Sequence, residues 1–404
     1  MVFLGIDWAE DHHDLCLMEE TGKVLARRRV PDGLAGVTQI YDLLAEHTED
    51  GVPVCIGIEV DHGLLVQALV GVGHEVFAVN PMAVSRYRDR HAVAGTKSDA
   101  GDAKVLADLV RTDRHNHREV RGDSELAMAI RVVARGHQNA VRSRRRYTNQ
   151  LRAQLREFYP AFLASFGEDL CELEAVELLL LAPTPGRGRL LSLAKIASAL
   201  RRGGRSRNIE TRTQAIYNRL RQPELERPTL IADALGTTVS SLARVLRQIN
   251  QEITTLESQL TELFESHPDA EIYRSLPGLG LVLSARVLGE SGDDPTRYRN
   301  ARSRRSYSGN APRTVASGKL RRVAVRQARN NRLADAFYQA AFVSITKSSP
   351  ANAYYRRLRA SGKSHSHSLR ALANKLAGVL DGCLRSHVPY SALIAWPSEK
   401  EAAA

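Results

Sequence analysis

Four carboxylates occur where an acid is costly unless it has a partner. Asp7 lies inside one apolar run, and Glu59 ends another. Asp99 and Asp102 are three residues apart at the start of a predicted helix, so both lie on one helix face. Burying an unpaired carboxylate is unfavourable, and carboxylate oxygens are ligands that Mg²⁺ prefers. Together the four acids predict a site for Mg²⁺ or Mn²⁺ that could assist cleavage of a phosphodiester.

Each acid alone also has an ordinary structural explanation. Asp99 and Asp102 could cap the helix that they precede, and Asp7 could be a hydrogen-bonded core carboxylate. Three neighbouring acids remain open as substitutes: Asp11, Asp14 and Asp61. Asp61 is the strongest of these because it comes two residues after Glu59, on the same face of an extended chain. The joint occurrence of four acids on adjacent elements favours the cation site.

The strand that carries Asp7 also fits a different class of enzyme. Phosphotransferases with an actin-like fold begin with a Gly-Ile-Asp strand and use that Asp with Mg²⁺ and ATP. They need a small Gly/Thr loop for phosphate directly after the Asp, whereas Trp8, Glu10 and Asp11 make this loop bulky and acidic. Such a loop would repel phosphate, so a kinase is disfavoured.

A serine hydroxyl is the second candidate for chemistry. Ser317 lies in the turn-rich stretch 311–319 and precedes a glycine. The cations after it are Lys319, Arg321 and Arg322. Nearby cations stabilise the charge that develops when an oxygen attacks phosphorus. Two rivals occur in the same basic block, Ser306 and Ser308, and a Ser-Gly-Lys sequence alone is usually an ordinary loop.

Basic residues are concentrated after the first quarter of the chain. The 404 residues carry a formal net charge of +12, of which residues 1–117 contribute −8 and residues 118–404 contribute +20. Residues 118–156 contain ten Arg and three acids, and residues 297–332 contain 12 cations and no acid. This distribution favours DNA or RNA as a partner. The predicted nucleic-acid contacts are Arg142, Arg144, Arg145, Arg146, Arg152, Arg302, Arg304, Arg305, Lys319, Arg321 and Arg322.

Hydrophobic patterning predicts an α/β domain and then a series of helices. Three antiparallel strands are predicted at 2–9, 13–19 and 23–30. Helices and strands then alternate at 34–47, 52–60, 63–72 and 74–79, before a helix at 103–110. This order is that of a ribonuclease-H-like fold. A long basic helix is expected at 124–158.

A heptad pattern marks the middle of the chain. Apolar residues recur at steps of four and three at Leu242, Leu246, Ile249, Ile253, Leu256, Leu260 and Leu263. Polar residues fill most positions between them, which predicts an exposed coiled coil that joins copies of the chain into a dimer or a dimer of dimers. The alternative is a single helix packed in the core of its own domain.

The predicted organisation is an acidic catalytic domain, a helical middle, a C-terminal domain and a tail. Their bounds are 1–117, 118–268 with the coiled coil at 242–263, 269–390 and 391–404. The third domain begins with Leu276-Pro277-Gly278-Leu279-Gly280, a turn typical of a helix-hairpin-helix, whose backbone N–H groups can hold a phosphate. The four cysteines match neither a zinc spacing nor a disulfide framework.

Several of these motifs, in this order, resemble the DEDD transposases of the IS110 insertion-sequence family. They are Gly5-Ile6-Asp7, Ile58-Glu59, Lys97-Ser98-Asp99-Ala100-Gly101-Asp102-Ala103, the turn at 276–280, Tyr307-Ser308-Gly309-Asn310-Ala311-Pro312 and Ala316-Ser317-Gly318-Lys319. The resemblance extends over residues 2 to about 385. It implies a RuvC-like domain, a coiled-coil middle and a mainly helical C-terminal transposase domain.

The resemblance also implies roles for individual residues. The acidic tetrad falls on Asp7, Glu59, Asp99 and Asp102, and the nucleophile on Ser317. It implies a Mg²⁺-dependent recombinase that acts on donor and target DNA and is guided by a structured non-coding bridge RNA. We expect such a protein in the bacterial cytoplasm, associated with the nucleoid when active, because the sequence has neither a membrane span nor a signal peptide.

Two other classes of function stay open. A metal-dependent nuclease, such as a junction resolvase, would use the acidic domain alone and form no covalent intermediate. A non-catalytic nucleic-acid-binding protein would use only the basic regions. The first leaves the basic block around the serine unexplained, and the second leaves the tetrad unexplained.

Overall fold

The computed structural model describes residues 1–49, 51–91, 99–120, 122–167, 170–317, 320–324, 326 and 329–396. The chain forms two compact units. The first contains residues 1–124 together with 294–299, and the second contains 125–293 and 300–404. An acidic α/β unit and a larger, mainly helical unit are therefore distinct bodies.

The first unit is built on a six-stranded mixed sheet. Its strands are β1 (Val2–Trp8), β2 (His12–Glu19), β3 (Val24–Pro31), β4 (Cys55–Ile58), β5 (Glu75–Ala78) and β6 (Arg118–Glu119). Its helices are α1 (Leu34–Ala45), α2 (Leu64–Gly71), α3 (Pro81–His91) and α4 (Asp99–Asp113). The strand order is β3-β2-β1-β4-β5-β6. The pairs β1–β4 and β4–β5 are parallel, and the others are antiparallel, so the predicted opening meander is confirmed.

Alternation along β1 decides which side chains face which helix. Leu4 and Ile6 pack in the core formed with α1 and α2. Phe3 packs on the opposite face against Leu106 and other residues of α4. Because side chains alternate along a strand, Asp7 lies on the same face as Phe3, the face that α4 covers.

The second unit contains fourteen described helices and a β-hairpin. The helices of its first half are α5 (Glu125–Phe158), α6 (Pro160–Phe166), α7 (Leu173–Leu181), α8 (Pro185–Arg189), α9 (Leu193–Arg202), α10 (Ile209–Arg219) and α11 (Thr229–Glu265). The second half adds α12 (Ala270–Ser275), α13 (Leu281–Ser291), α14 (Ala301–Tyr307), α15 (Asn331–Lys347), α16 (Ser349–Ala360), α17 (His365–Ser386) and α18 (Ala392–Ala395). The hairpin is β7 (Arg313–Ser317) with β8 (Leu320–Ala324).

Two hydrophobic cores share the long helices α5 and α11. One core joins Leu151 and Leu155 of α5 to Leu242 and Leu246 of α11 and to α6, α7, α9 and α10. The other joins the start of α5 and the end of α11 to α12, α13, α15 and α17. The segments predicted as separate domains, 118–268 and 269–390, therefore share a core across their expected boundary.

Four of the seven heptad residues of α11 are buried by the chain itself, and Ile249, Leu256 and Leu263 are partly exposed. Leu242, Leu246, Ile253 and Leu260 are buried within the second unit, where α11 packs along α5. The burial of these four residues favours the alternative of a helix packed in the core of its own domain, whereas assembly of copies through a coiled coil stays a prediction. Polar residues line the rest of α11 because that face meets solvent. None of the helices in the described ranges is long and apolar enough to cross a membrane.

Candidate active site

Two glycines bring the N-terminal half of α4 against the sheet. A Cβ added at Gly5 of β1 would overlap the carbonyl oxygen of Ala103, and one added at Gly57 of β4 would meet the carbonyl oxygen of Leu106. Only a residue without a Cβ permits so close an approach of helix and strand. The packing places the first turn of α4, which holds Asp99 and Asp102, beside the carboxyl ends of β1 and β4.

The sheet register brings Glu59 and Asp14 beside Asp7. Ile6 pairs with Ile58 across the parallel β1–β4 ladder, so Glu59 comes next to Asp7. On the other side, Asp7 is the direct antiparallel partner of Asp14 on β2. Cross-strand partners share a face of a sheet, so Asp14 lies on the α4 side as well.

The pKa of Asp7 reflects its burial and the charge of this cluster. Burial, and then the charges of Asp102, Glu59, Asp99 and Asp14 in decreasing order, raises the pKa of Asp7 to about 6. The other three predicted acids thus act electrostatically on Asp7, and the substitute acid Asp14 joins them. Like charges gathered this closely need a cation when all are ionised.

Two arginines contact the acidic cluster. Nη2 of Arg88, on α3, lies 2.7 Å from Oδ1 of Asp102, which is buried. Arg29, on β3, donates two hydrogen bonds to Asp14, of 3.1 and 2.7 Å, and its Nη2 lies 3.6 Å from Asp99. These guanidinium groups supply part of the positive charge that the carboxylates attract.

The donor set fits a divalent cation. Ligand atoms of His12, Asp14 and Asp99 lie within 4.8 Å of one another. Oxygen donors from several carboxylates are what Mg²⁺ and Mn²⁺ prefer, and an imidazole is acceptable to Mn²⁺. The sequence interpretation did not include His12. The signal for it was available in the period-two pattern of β2, which places residues 12 and 14 on one face.

The other two substitute acids occupy different surroundings. Asp61 is exposed, and its Oδ1 lies 3.0 Å from Nδ1 of His62. The strand β4 ends at Ile58, so the expectation that Asp61 continues the face of Glu59 is not supported by strand alternation. Asp11 is also exposed, at the turn between β1 and β2. Lys97 and Ser98 of the third motif lie outside the described residues.

Ser317 lies at the tip of the β7–β8 hairpin. It is the last residue of β7 and pairs with Leu320 across a two-residue connection. The stretch predicted as a turn-rich loop is thus mainly a strand. Lys319 lies outside the described residues, and Arg321 and Arg322 are placed on β8 by their backbone.

The two rival serines lie before the hairpin. Ser308 is fully buried, and its hydroxyl donates to the carbonyl oxygen of Arg305 at 3.0 Å and accepts from Asn310 at 3.2 Å. A buried, hydrogen-bonded hydroxyl is a structural group. Ser306 is half-buried on α14.

A polar network holds the segment around the hairpin to the helices. Asn330 caps α15 and donates to Glu290 of α13 at 2.8 Å and to the Tyr307 hydroxyl at 3.3 Å. Glu290 also accepts two hydrogen bonds from Arg135 of α5, of 2.7 and 2.9 Å. Although burial opposes it, bonding to Arg135 and Asn330 lowers the pKa of Glu290. Tyr307 and Asn330, which flank the hairpin in sequence, are therefore attached to α5, α13 and α15.

The predicted nucleic-acid contacts differ in exposure. Four of them have exposed side chains: Arg142, Arg145, Arg146 and Arg302. Others are used within the second unit: Arg144 donates to Asn250 at 3.2 Å, Arg152 donates to the Gly167 carbonyl at 2.8 Å, and Arg305 is half-buried.

Arg304 is the clearest case of an internal cation. It is buried, and its Nε donates to Oδ1 of Asp381 at 2.8 Å. A buried ion pair of this kind anchors α14 to α17. Arg304 is therefore unsuited to contact nucleic acid, in contrast to the expectation from the charge pattern.

The predicted helix-hairpin-helix turn connects α12 and α13. Gly278 has φ 83°, and a Cβ there would overlap the carbonyl oxygen of Ala340 on α15. The glycine is required by both its conformation and this close packing.

Comparison with known proteins agrees with these features. A family model for DEDD transposases of the IS110 type matches residues 4–160, and a model for the transposase IS116/IS110/IS902 family matches residues 270–356. The first match contains the acidic cluster. The second contains the serine hairpin.

Similar proteins come from bacterial insertion elements. The mini-circle protein assigned as the transposase for IS117 in Streptomyces coelicolor is 43% identical over 95% of this chain and 94% of its own length. A 43.6 kDa protein of IS110 from the same organism is 28% identical over 96% and 95% of the two chains. A 42 kDa protein of IS900 from Mycobacterium paratuberculosis is 28% identical over 96% and 97%. The chain belongs to the IS116/IS110/IS902 family of transposases, enzymes that cleave and rejoin DNA.

Proposed function

We propose that this protein is a DNA recombinase in which Asp7, Glu59, Asp99 and Asp102 hold one or two divalent cations and Ser317 attacks the DNA. The observation that carries the proposal is the raised pKa of Asp7, which reports the charges of the other three acids together with Asp14. Asp7 lies near the end of β1, Glu59 directly follows β4, and Asp99 and Asp102 lie in the first turn of α4. Catalytic groups commonly show such perturbed titration.

The architecture of the first unit supports a RuvC-like assignment. A three-stranded antiparallel meander continues into two parallel strands, in the order β3-β2-β1-β4-β5, and the acids lie at the ends of β1 and β4 and at the start of α4. A ribonuclease-H-like fold has this order of strands. The short antiparallel β6 extends the sheet by one edge strand.

The acidic cluster suits Mg²⁺ or Mn²⁺. A bound divalent cation supplies Lewis-acid stabilisation of the charge that develops on the scissile phosphate. Gly5 admits α4 to the sheet, and the charge of Asp102 at the start of that helix helps to raise the pKa of Asp7. Asp14 and His12 complete the donor set or position it, and Arg29 orients Asp14 through two hydrogen bonds.

The serine step balances as a transesterification. The Ser317 oxygen forms a bond to phosphorus while the bond between phosphorus and the 3′ oxygen of the DNA breaks. The serine proton is transferred to the leaving oxygen, which becomes a free 3′ hydroxyl, and the 5′ phosphate stays linked to the protein. Arg321 and Arg322 on β8, with Lys319, would offset the developing charge.

The basic helix α5 is proposed as a binding surface for a guide RNA. Arg142, Arg145 and Arg146 of α5 offer phosphate contacts. Donor and target DNA are the other proposed partners, and the proposed location is the bacterial cytoplasm, with association with the nucleoid when the protein is active. Assembly into a dimer or a dimer of dimers remains part of the proposal, but Leu242, Leu246, Ile253 and Leu260 of the seam are buried within the second unit and are not free to form its contact surface.

Trapping a covalent product separates this proposal from a metal-dependent nuclease. Labelled donor DNA, incubated with the protein, its RNA and Mg²⁺, should yield a product of reduced mobility on a denaturing SDS gel. Asp102→Asn and Ser317→Ala should both abolish it, whereas Ser306→Ala retains it. A nuclease would cut the DNA without a covalent product and would keep its activity in Ser317→Ala.

A further inference from the structure

A cleft opens at the base of the serine hairpin. It has a volume of about 420 Å³ and lies between the segment that leads into β7, the end of β8, and the helices α16 and α17. Its polar, charged or aromatic side chains are Asn310, Tyr354, Lys363, His367, Arg370 and Asn374. The remaining wall is mainly alanine and glycine.

The lining combines cations, an aromatic ring and an apolar floor. Lys363, Arg370 and His367 border the cleft, and no Asp or Glu is part of its described lining. The Tyr354 ring contacts the tilted ring of Trp396, with ring centroids 5.5 Å apart, and the Arg357 guanidinium lies 5.5 Å from its centroid. These contacts restrict the motion of the ring at the cleft. Cations without acids select an anion, and an aromatic ring beside small apolar residues selects a flat ring system.

Asn374 adds a polar group that the protein leaves unused. Within the described ranges, its Oδ1 is buried and has no hydrogen-bond partner. Such a group is costly unless a ligand or water completes its bonding. An amide at the wall of a pocket is suited to the donor and acceptor edge of a nucleobase.

We infer that this cleft, defined here as the hairpin cleft, takes up one unstacked nucleotide of the DNA strand on which the serine acts. The base lies against Tyr354 and reaches Asn374, while the phosphate meets Arg370 and Lys363. The inference rests on the proposed function, because the choice of DNA depends on the serine that the same hairpin carries.

The length of the hairpin also predicts how far along the DNA the nucleotide in the cleft lies from the phosphate that Ser317 attacks. Ser317, which pairs with Leu320 at the tip, comes four residue steps after Arg313, which pairs with Ala324 at the base. At ~3.4 Å per strand residue this is about 14 Å, or roughly four base steps of a stacked strand. The nucleotide in the cleft is therefore expected about four positions from the attacked phosphate.

Photo-crosslinking to a modified base tests the cleft directly. The full-length protein is irradiated with a single-stranded oligodeoxynucleotide that contains one 5-iodo-2′-deoxyuridine, and the crosslinked peptide is mapped by mass spectrometry. The crosslink is expected on Tyr354 or His367. Tyr354→Ala, Arg370→Gln and Asn374→Leu should each lower its yield about fivefold or more.

Matched variants control for folding and for charge. Arg356→Gln removes an exposed cation from α16 that does not line the cleft, and it should retain the wild-type yield. Tyr354→Phe keeps the ring and should also retain it. A crosslink that maps outside the cleft, or a yield unchanged in Arg370→Gln and Asn374→Leu, would overturn the inference.

Two competitors and one variant test the identity of the ligand. RNA of the same sequence with 5-iodouridine should crosslink less, and a free deoxynucleoside triphosphate should compete poorly with the oligonucleotide. Stronger crosslinking of the RNA, or effective competition by the triphosphate, would contradict a DNA nucleotide as the occupant. Ser317→Ala should keep the crosslink, so failure of the serine mechanism alone leaves the cleft assignment intact.

Discussion

Gly5 and Ala103 touch so closely that the sheet and α4 leave no space for a side chain between them. The contact joins the strand that carries Asp7 to the helix that begins with Asp99 and Asp102. It therefore determines the distance between the acids of the proposed metal site, although neither residue has a functional group.

Gly5→Ala should disrupt this contact. The added methyl group must displace α4 from β1, so we expect a loss of about 1–3 kcal/mol in the free energy of unfolding and a loss of Mg²⁺-dependent DNA cleavage. Urea unfolding and a cleavage assay check the two effects. Gly71→Ala is the matched control, because a Cβ at Gly71 would meet no atom within 4 Å. Wild-type cleavage by Gly5→Ala would show that the contact does not position the acids.

Asp7→Asn should stabilise the metal-free protein at neutral pH while it abolishes cleavage. Because its pKa rises from 3.8 to about 6 in the folded protein, the contribution of Asp7 to stability is complete below pH 3.8 and is lost as the pH rises through about 6. In EDTA, the Tm of the variant should therefore exceed that of the wild type by an amount that grows as the pH rises from about 4 to about 7.

Adding Mg²⁺ or Mn²⁺ at neutral pH should raise the Tm of the wild type above that of Asp7→Asn, because the wild type binds the cation and the variant binds it weakly. Differential scanning fluorimetry across pH, with and without the metal, measures both parts. An equal Tm difference at all pH values would contradict the charge interaction around Asp7.

Local patterns in the sequence predicted much of the acidic unit. Alternating apolar residues in β1 and β2 and the helical spacing of α1 specify the meander and the first helix, because one face of each element is buried. The position of Asp14 was harder to predict, since only the register between β1 and β2 shows that it pairs with Asp7. Arg88 is likewise distant in sequence from its partner Asp102.

The heptad pattern of α11 was ambiguous for a physical reason. An apolar stripe at steps of four and three fits equally well against another copy of the chain or against α5 of the same chain. The stripe alone carries no information on the partner. Similarly, the clustered arginines of 297–332 gave no sign that Arg304 pairs with Asp381, 77 residues later.

The accessible arginines of α5 should control the salt dependence of RNA binding. The triple variant Arg142→Gln, Arg145→Gln, Arg146→Gln removes three cations from this helix, so the slope of log affinity against log salt should decrease by about two to three. Fluorescence anisotropy at several salt concentrations measures it. Arg144→Gln should change the slope less, because that side chain bonds Asn250. Equal slopes for wild type and the triple variant would remove α5 from the RNA surface.

Ile253→Ala should destabilise the chain without changing its mass in solution. Ile253 is buried between α11 and the rest of its own unit, so its truncation should cost about 2–5 kcal/mol in the free energy of unfolding. Urea unfolding and light scattering test the two parts. The exposed neighbour Gln251→Ala serves as the control. Dissociation of an oligomer in Ile253→Ala, with unchanged unfolding, would instead place the seam between copies.

Peptide mapping of the trapped protein–DNA complex tests the central claim most directly. The complex is formed on donor DNA with Mg²⁺, digested with protease and nuclease, and analysed by mass spectrometry for the residue that carries the nucleotide phosphate. The proposal predicts the phosphodiester on Ser317 and no adduct in Asp7→Asn, Glu59→Gln, Asp99→Asn or Asp102→Asn. An adduct on another residue, or recombination that continues in Ser317→Ala, would contradict it.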